Sequence, residues 1–413
     1  MLTDSSTIYK YFVFIEKLTI ISKFNSFRDN IVLMTRRLVV NRRSVFYCIS
    51  VLIILMLGSL VYASDLPKHY EYVEETERDY SLKHLKPLHI TNVRGDISVQ
   101  GWSLDKLRIK LKKKVLTSSP ILATRLLSTM DYRYTSDGAI LEISSQYGKG
   151  LTIEERLKER GRSNVHLEIQ VFAPSRLNLH LWAVDGQLSV KNWAGSADLR
   201  SRSGGVKVDQ FKGEQISLIC ESCSARFSHV KGSVQSLTGK GISELSHVRG
   251  KRIYVETVDG AIQAKDVSGD QLYSSRSGLI QGDVLQGKVE FNAESSNISL
   301  ERLDGFLSGY LEKGSVKAQV NRWAPKDQAT IETVAASVEL LLPVSFSANL
   351  DLWSKQGSIE VKYPVVPAGD TFASGPTQEA RLLGRVRDGG ELFRIFSEVG
   401  SISLRRADLD AQP

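Results

Sequence analysis

Glycines recur in this chain at positions 195, 213, 232, 250, 269, 287 and 305, a nearly constant interval. A residue kept at one interval over seven positions marks a repeated structural unit, and this interval is too short for a helix-pair repeat. Nine positions before six of these glycines stand Gly204, Cys223, Gly241, Gly260, Gly278 and Ser296. Three apolar files keep the same register: Val206, Ala225, Ser243, Ile262, Ile280 and Ile298; Val208, Phe227, Leu245, Ala264, Gly282 and Leu300; and Phe211, Val230, Val248, Val267, Leu285 and Leu303. Polar residues such as Lys207, Arg226, Glu244, Gln263, Gln281 and Ser299 alternate with them.

Alternation of period two is the signature of a half-buried strand. Each unit holds two such runs, for example Lys251–Glu256 and Ala261–Ala264, with Gly or Ser at the bends. One lap cannot bury its own apolar side. Stacking the next lap ~4.8 Å above pairs the backbone in parallel and extends the apolar file. The expected fold is therefore all-β: a parallel β-solenoid, or β-helix-like stack, with two short strands in every lap of about 18–19 residues. The bend glycines are expected to need positive φ.

The pattern sets the organisation. Residues 181–363 are the solenoid repeats, preceded by an N-terminal β-rich section at 65–180 with a short helix near 121–130. A Pro/Gly/Ala-rich loop spans 364–385, and strands at 386–405 cap the solenoid. The charged run 151–160 is expected on the surface. Trp182, Trp193, Trp323 and Trp353 flank the regular part and are expected to pack its ends.

Residues 45–63 form an uncharged apolar run, preceded by Arg36, Arg37, Arg42 and Arg43. A basic flank, a long apolar stretch and small residues before Ser64 read as a secretory signal peptide, with an uncleaved signal anchor as the alternative. Met34 is the more natural start, since a leader needs nothing from residues 1–33. Either form exports everything after residue 64. The leader also accounts for most of the formal charge of +8: residues 1–63 carry +5, leaving +3 on the rest. The basic balance thus gives no reason to expect a nucleic-acid partner, and membrane contact is expected only through the leader if it is uncleaved.

The phrases Ile90–Trp102, Val171–Pro174 leading into Val184–Val190, and Thr257–Ile262 followed by Val267–Gly269 resemble the bacterial putative-adhesin family, a β-solenoid domain of unknown function. The likeness covers roughly residues 86–405. It implies an envelope location and a binding role. It brings no catalytic residues, because the shared positions are structural Gly, Asp and β-branched residues.

A few side chains are candidates for chemistry. Cys220 and Cys223 form a CxxC without the βαβ context of a redox site or the second pair of a zinc site. They fill small inward slots at a bend, and a local disulfide between them is possible outside the cytoplasm. His229 and His247 stack in one file, as do Asp283 and Glu301. The first pair is read as solvated rather than metal-binding, the second as part of a charge ladder with Lys265. Lys212, Lys231 and Arg249 make a basic stack. Arg108, Lys110, Lys112, Lys113 and Lys114 make a basic strand edge, read as protection against edge-to-edge aggregation.

The resulting expectation is an exported, non-enzymatic binding or scaffold module of the envelope, without cofactor or metal, whose partner is an envelope glycan or protein. Its first location is the periplasm, with surface display or secretion as alternatives. Two other readings stay open: a carbohydrate-active β-helix enzyme using Asp283 and Glu301, and a self-assembling structural solenoid.

Overall fold

Alternating side chains leave the backbone one simple way to satisfy its polar groups and its apolar side together: extended strands paired edge to edge. The computed structural model of the protein has that arrangement. It describes residues 70–82, 86–137, 140–147, 164–325, 327–368 and 379–407. The leader, its cleavage position and the run 151–160 lie outside the described residues. The described chain is almost all β, with one helix, and its strands join in one large, mostly parallel sheet that does not close.

Pairing follows the repeat interval. Strand β10 (Ala197–Phe211) lies parallel to β11 (Gln215–Lys231) with Ala197 opposite Ile216 and Phe211 opposite Val230. β11 lies parallel to β12 (Ser233–Trp323) with Gln215 opposite Ser233. β12 continues for 91 residues, bends included. All three apolar files read from the sequence are buried. Each Val, Leu or Ile in them contributes roughly 1.5–3 kcal/mol by leaving water.

The bends hold two ladders. One is glycine, and close approach is its general reason. A Cβ on Gly250 would lie 2.4 Å from the Gly232 carbonyl oxygen, and one on Gly269 would lie 1.8 Å from that of Gly250. Positive φ, the expected reason, applies at Gly269 (133°) but is not shared by Gly250. The ladder in left-handed conformation lies three positions earlier: Asn192, Gln210, His229, His247, Asp266, Val284 and Arg302 all have φ between 53° and 56°. Asn and Asp tolerate that region, whereas a β-branched Val does not.

Both ends of the stack are stitched out of chain order. β2 (Leu88–Arg94) and β3 (Ile97–Trp102) pair in parallel with β8 (Leu179–Asp185) and β9 (Leu188–Lys191) on one side. On the other they meet β6 (Ile140–Gln146) and β7 (Asn164–Pro174). β5 (Asp131–Asp137) runs antiparallel to β6. β8 and β9 then lead into β10. At the far end, β18 (Leu392–Val399) and β19 (Ile402–Arg406) insert between two earlier layers. On one side is β13 (Ala329–Leu342); on the other are β14 (Ala348–Gln356) and β15 (Ile359–Val361). The last strands therefore do not cap the stack as expected. They are paired on both edges because Phe393, Ile395, Ile402 and Leu404 alternate inward to the core. Residues 364–385, expected as a loop, supply β16 (Val365–Pro367) and most of β17 (Ala380–Val386), antiparallel to each other, with β17 antiparallel to β14.

The basic strand is not an edge. β4 (Lys106–Thr117) lies antiparallel between β7 and the acidic β1 (Tyr70–Ser81). Glu74, Glu75, Glu77 and Asp79 meet Lys113, Lys112, Lys110 and Arg108. The helix α1 (Pro120–Thr129) follows β4. Ser119 caps it by accepting from the Leu122 N–H, Pro120 opens it, and Ala123 and Leu126 bury its inner side.

Candidate functional site

The outward side chains of β10 to β12 stand in rows that cross the paired strands. One row runs Arg226, Glu244, Gln263, Gln281, Ser299, and beside it lie Ser246, Lys265, Asp283 and Glu301. Together they line an open depression of 430 Å³. Leu245, Ala264 and Gly282 of the inward file also line it, and a Cβ on Gly282 would reach Leu285 and Leu300 at 2.6 and 2.9 Å. The row is laced between neighbouring strands. Arg226 donates to both Glu244 oxygens, at 2.7 and 3.0 Å, and this hydrogen bond holds the Glu244 carboxyl below its ordinary range. Gln263 and Gln281 are exposed and present amide donors and acceptors along the same line.

Asp283 and Glu301, the stacked carboxylates, do share this depression. Arg302 clamps Asp283, donating from Nε at 2.7 Å, and its hydrogen bond and charge hold the Asp283 carboxyl low. Asp283 is therefore ionised at neutral pH and poorly suited to donate a proton as a general acid.

The two histidines stack with ring centroids 5.0 Å apart. Their Nδ1 atoms turn to carboxylates on either side: His229 to Asp209 at 3.2 Å, His247 to Asp266 at 2.6 Å. Arg249 of the basic stack also reaches Asp266. Cys220 and Cys223 are buried in the small-residue files, their Cα atoms 6.1 Å apart across a bend, a separation that a disulfide spans. Asp96, His166 and Glu168 converge near β7, with His166 Nε2 3.2 Å from Asp96 Oδ2. The Lys114 ammonium already sits on Glu168, and the Gln187 N–H donates to Asp96 at 2.7 Å, so the cluster behaves as an ion-pair network.

A second depression, of 330 Å³, lies on the outer side of β2, β8 and β10. His89, Thr91, His180, Trp182, Asp198 and Arg200 line it. The four flanking tryptophans, expected to pack the ends, divide. Trp193 is buried, donating to the Leu177 carbonyl at 2.9 Å. Trp323 packs edge-on against Phe346. Trp353 lies on Phe396 and donates to Glu379. Trp182 instead points outward and is 53% exposed. The signal for this is local: in Leu181-Trp182-Ala183 the alternation places Trp182 outside. His89 and His180 lie against each other beside it, their rings tilted by 47° with centroids 4.4 Å apart. Burial, then the neighbouring His180, lowers the His89 pKa from its ordinary value.

No protein-family profile matches the sequence, and no curated protein matches it. Among solved structures, the chain is similar to a putative cell adhesion protein from Clostridium sporogenes, with 11% identity, 81% of this chain and 100% of that chain covered, and a TM-score of 0.19. It is similar also to a putative adhesin from Bacteroides fragilis, with 12% identity, 58% and 96% covered, and a TM-score of 0.31. A putative lipid binding protein from Parabacteroides distasonis shows 9% identity, 80% and 96% covered, and a TM-score of 0.24. Two of these three bear the adhesin or cell-adhesion name of the family that the sequence phrases resemble.

Proposed function

We propose that this chain is an exported, non-enzymatic binding module of the bacterial envelope, built as a β-solenoid with two short strands in each lap. Its outer rows hold an extended partner, an envelope glycan first and a protein second. The observation that carries this reading is the row Arg226, Glu244, Gln263, Gln281, Ser299, which sets hydrogen-bonding groups along one open depression. Parallel neighbours are ~4.8 Å apart, so such a row offers a regular, pre-organised set of contacts to a repeating polymer at little entropic cost. The leader at 45–63 supplies the export half of the reading, and the resemblance to adhesins agrees with a binding role. In an oxidising compartment Cys220 and Cys223 form a local bridge.

Cell fractionation with N-terminal sequencing tests export; recovery from the cytosol with residues 34–63 intact overturns it. Co-sedimentation of the purified chain with isolated envelope fractions tests binding. Cleavage of an envelope polysaccharide that disappears in Asp283→Asn or Glu301→Gln would replace the reading by the glycoside-cleaving one. Light scattering that grows with protein concentration, without envelope binding, would replace it by self-assembly.

A further inference from the structure

We propose that the depression around Trp182 is a saccharide subsite in which the indole stacks against the face of one pyranose ring. This rests on the reading of the chain as an envelope-glycan binding module. It adds a ring-specific contact to the all-polar row described above.

The placement of Trp182 is the starting point. Parallel pairing sets Thr91 beside it on one strand and Arg200 on the other, with His89, His180 and Asp198 forming the adjacent row. Leu181 and Ala183, on either side in sequence, are buried, so the backbone under the indole is anchored in the core. An aromatic ring of this size normally contributes through burial, and leaving it over half exposed forgoes that stabilisation. On a rigid strand it is instead a fixed apolar platform that costs little entropy to use.

The surrounding groups select the occupant. Asp198 is an acceptor held by two long contacts, His180 Nδ1 at 3.5 Å and Arg200 Nη2 at 3.3 Å. Such contacts are readily exchanged for better ones. A wholly apolar guest would desolvate Asp198 and Arg200 without replacing their hydrogen bonds, which is unfavourable. A pyranose matches both demands: its C–H face lies on the indole, while its hydroxyls accept from Arg200 and His180 and donate to Asp198. Hydroxyls both donate and accept, so the mixed row around the ring can be satisfied in full. His89, kept neutral near pH 7 by its lowered pKa, adds a nitrogen that can accept.

The test is saturation-transfer-difference NMR on the purified full chain. The probes are tetrasaccharides of glucose, mannose and N-acetylglucosamine, plus a proline-rich decapeptide as a protein-like probe. The expected result is transfer from the protein to the pyranose C–H protons. Trp182→Ala weakens binding by roughly tenfold or more, as truncating an aromatic anchor does. Trp182→Phe retains part of it, and Asp198→Asn weakens it less. Because Trp182 is exposed, the variants should keep the wild-type melting temperature, and that measurement guards against misfolding. Transfer unchanged in Trp182→Ala, no transfer to any saccharide, or Trp182-dependent transfer to the peptide alone each overturns the subsite. Envelope co-sedimentation separates the two claims: if wild type co-sediments but shows no Trp182-dependent saccharide transfer, the subsite fails and the binding module stands, whereas absence of co-sedimentation in wild type removes the binding module itself.

Discussion

Gly260 sits over Gly241 so closely that a Cβ on Gly260 would lie 1.8 Å from the Gly241 carbonyl oxygen. That overlap is with backbone, which cannot swing aside, and the same contact recurs where Gly278 lies over Gly260 and Gly241 over Cys223. Gly260→Ala is expected to destabilise the protein by about 3 kcal/mol, at the upper end of overpacking costs. Gly205, where a Cβ would meet only the Ser224 oxygen at 4.0 Å, is the control. Gly205→Ala should fall within about 0.5 kcal/mol of wild type. Thermal unfolding of both variants checks the difference.

Lys113 is buried in β4 and donates to Glu74 at 2.7 Å. Removing the carboxylate leaves an unpaired charge with little access to water. Glu74→Ala should cost about 2 kcal/mol, less than a fully buried pair because Glu74 is half exposed. Lys113→Met in that background should recover most of the loss. Removing the exposed Glu75, which pairs with Lys112, should leave urea unfolding unchanged within error.

Val284 is the β-branched member of the left-handed ladder, with φ at 55°. Its neighbours in the ladder include Asp266, a residue type that favours this region. Val284→Asn should stabilise the protein by about 1 kcal/mol, since strain of that kind costs on the order of 1–3 kcal/mol and only part of a half-buried side chain is lost. The observable is a raised melting temperature.

The His89 pKa is lowered by burial and by His180, against weaker opposing pulls from Glu142 and Asp198. The unfolded state therefore binds a proton before the folded state does. Stability from this site is complete above the unfolded value of about 6.5 and is lost as pH falls through the folded value. Melting temperature should decline from pH 7 to pH 5, and His89→Gln should flatten that slope. A slope unchanged in the variant would assign the pH response to other groups.

Much of the outer polar face was legible in the residues. The files that line the core, and the polar row from Arg226 to Ser299, follow from alternation and repeat interval alone. Trp182 was equally readable from its place between Leu181 and Ala183, yet its position flanking the regular repeats suggested packing at their end. The partner of the basic strand β4 was not legible. The acidic run in β1 lies well upstream of it, with β2 and β3 in between, and nothing local says that the two strands meet antiparallel.

The amino-acid sequence by itself determined the interval at which strands pair in parallel, the side each residue faces and the positions where only a small residue is tolerated. Those properties depend on the two-residue period of a strand and on contacts between positions paired across adjacent strands. Only the tertiary structure decided the order of layers at the ends, where β3 sits between β7 and β9 and where β18 slips between β13 and β14. Parallel backbone pairing is nearly the same for any well-alternating strand, so local sequence does not encode which distant strand will be its neighbour. That choice is made by how the whole set of apolar faces is covered at once.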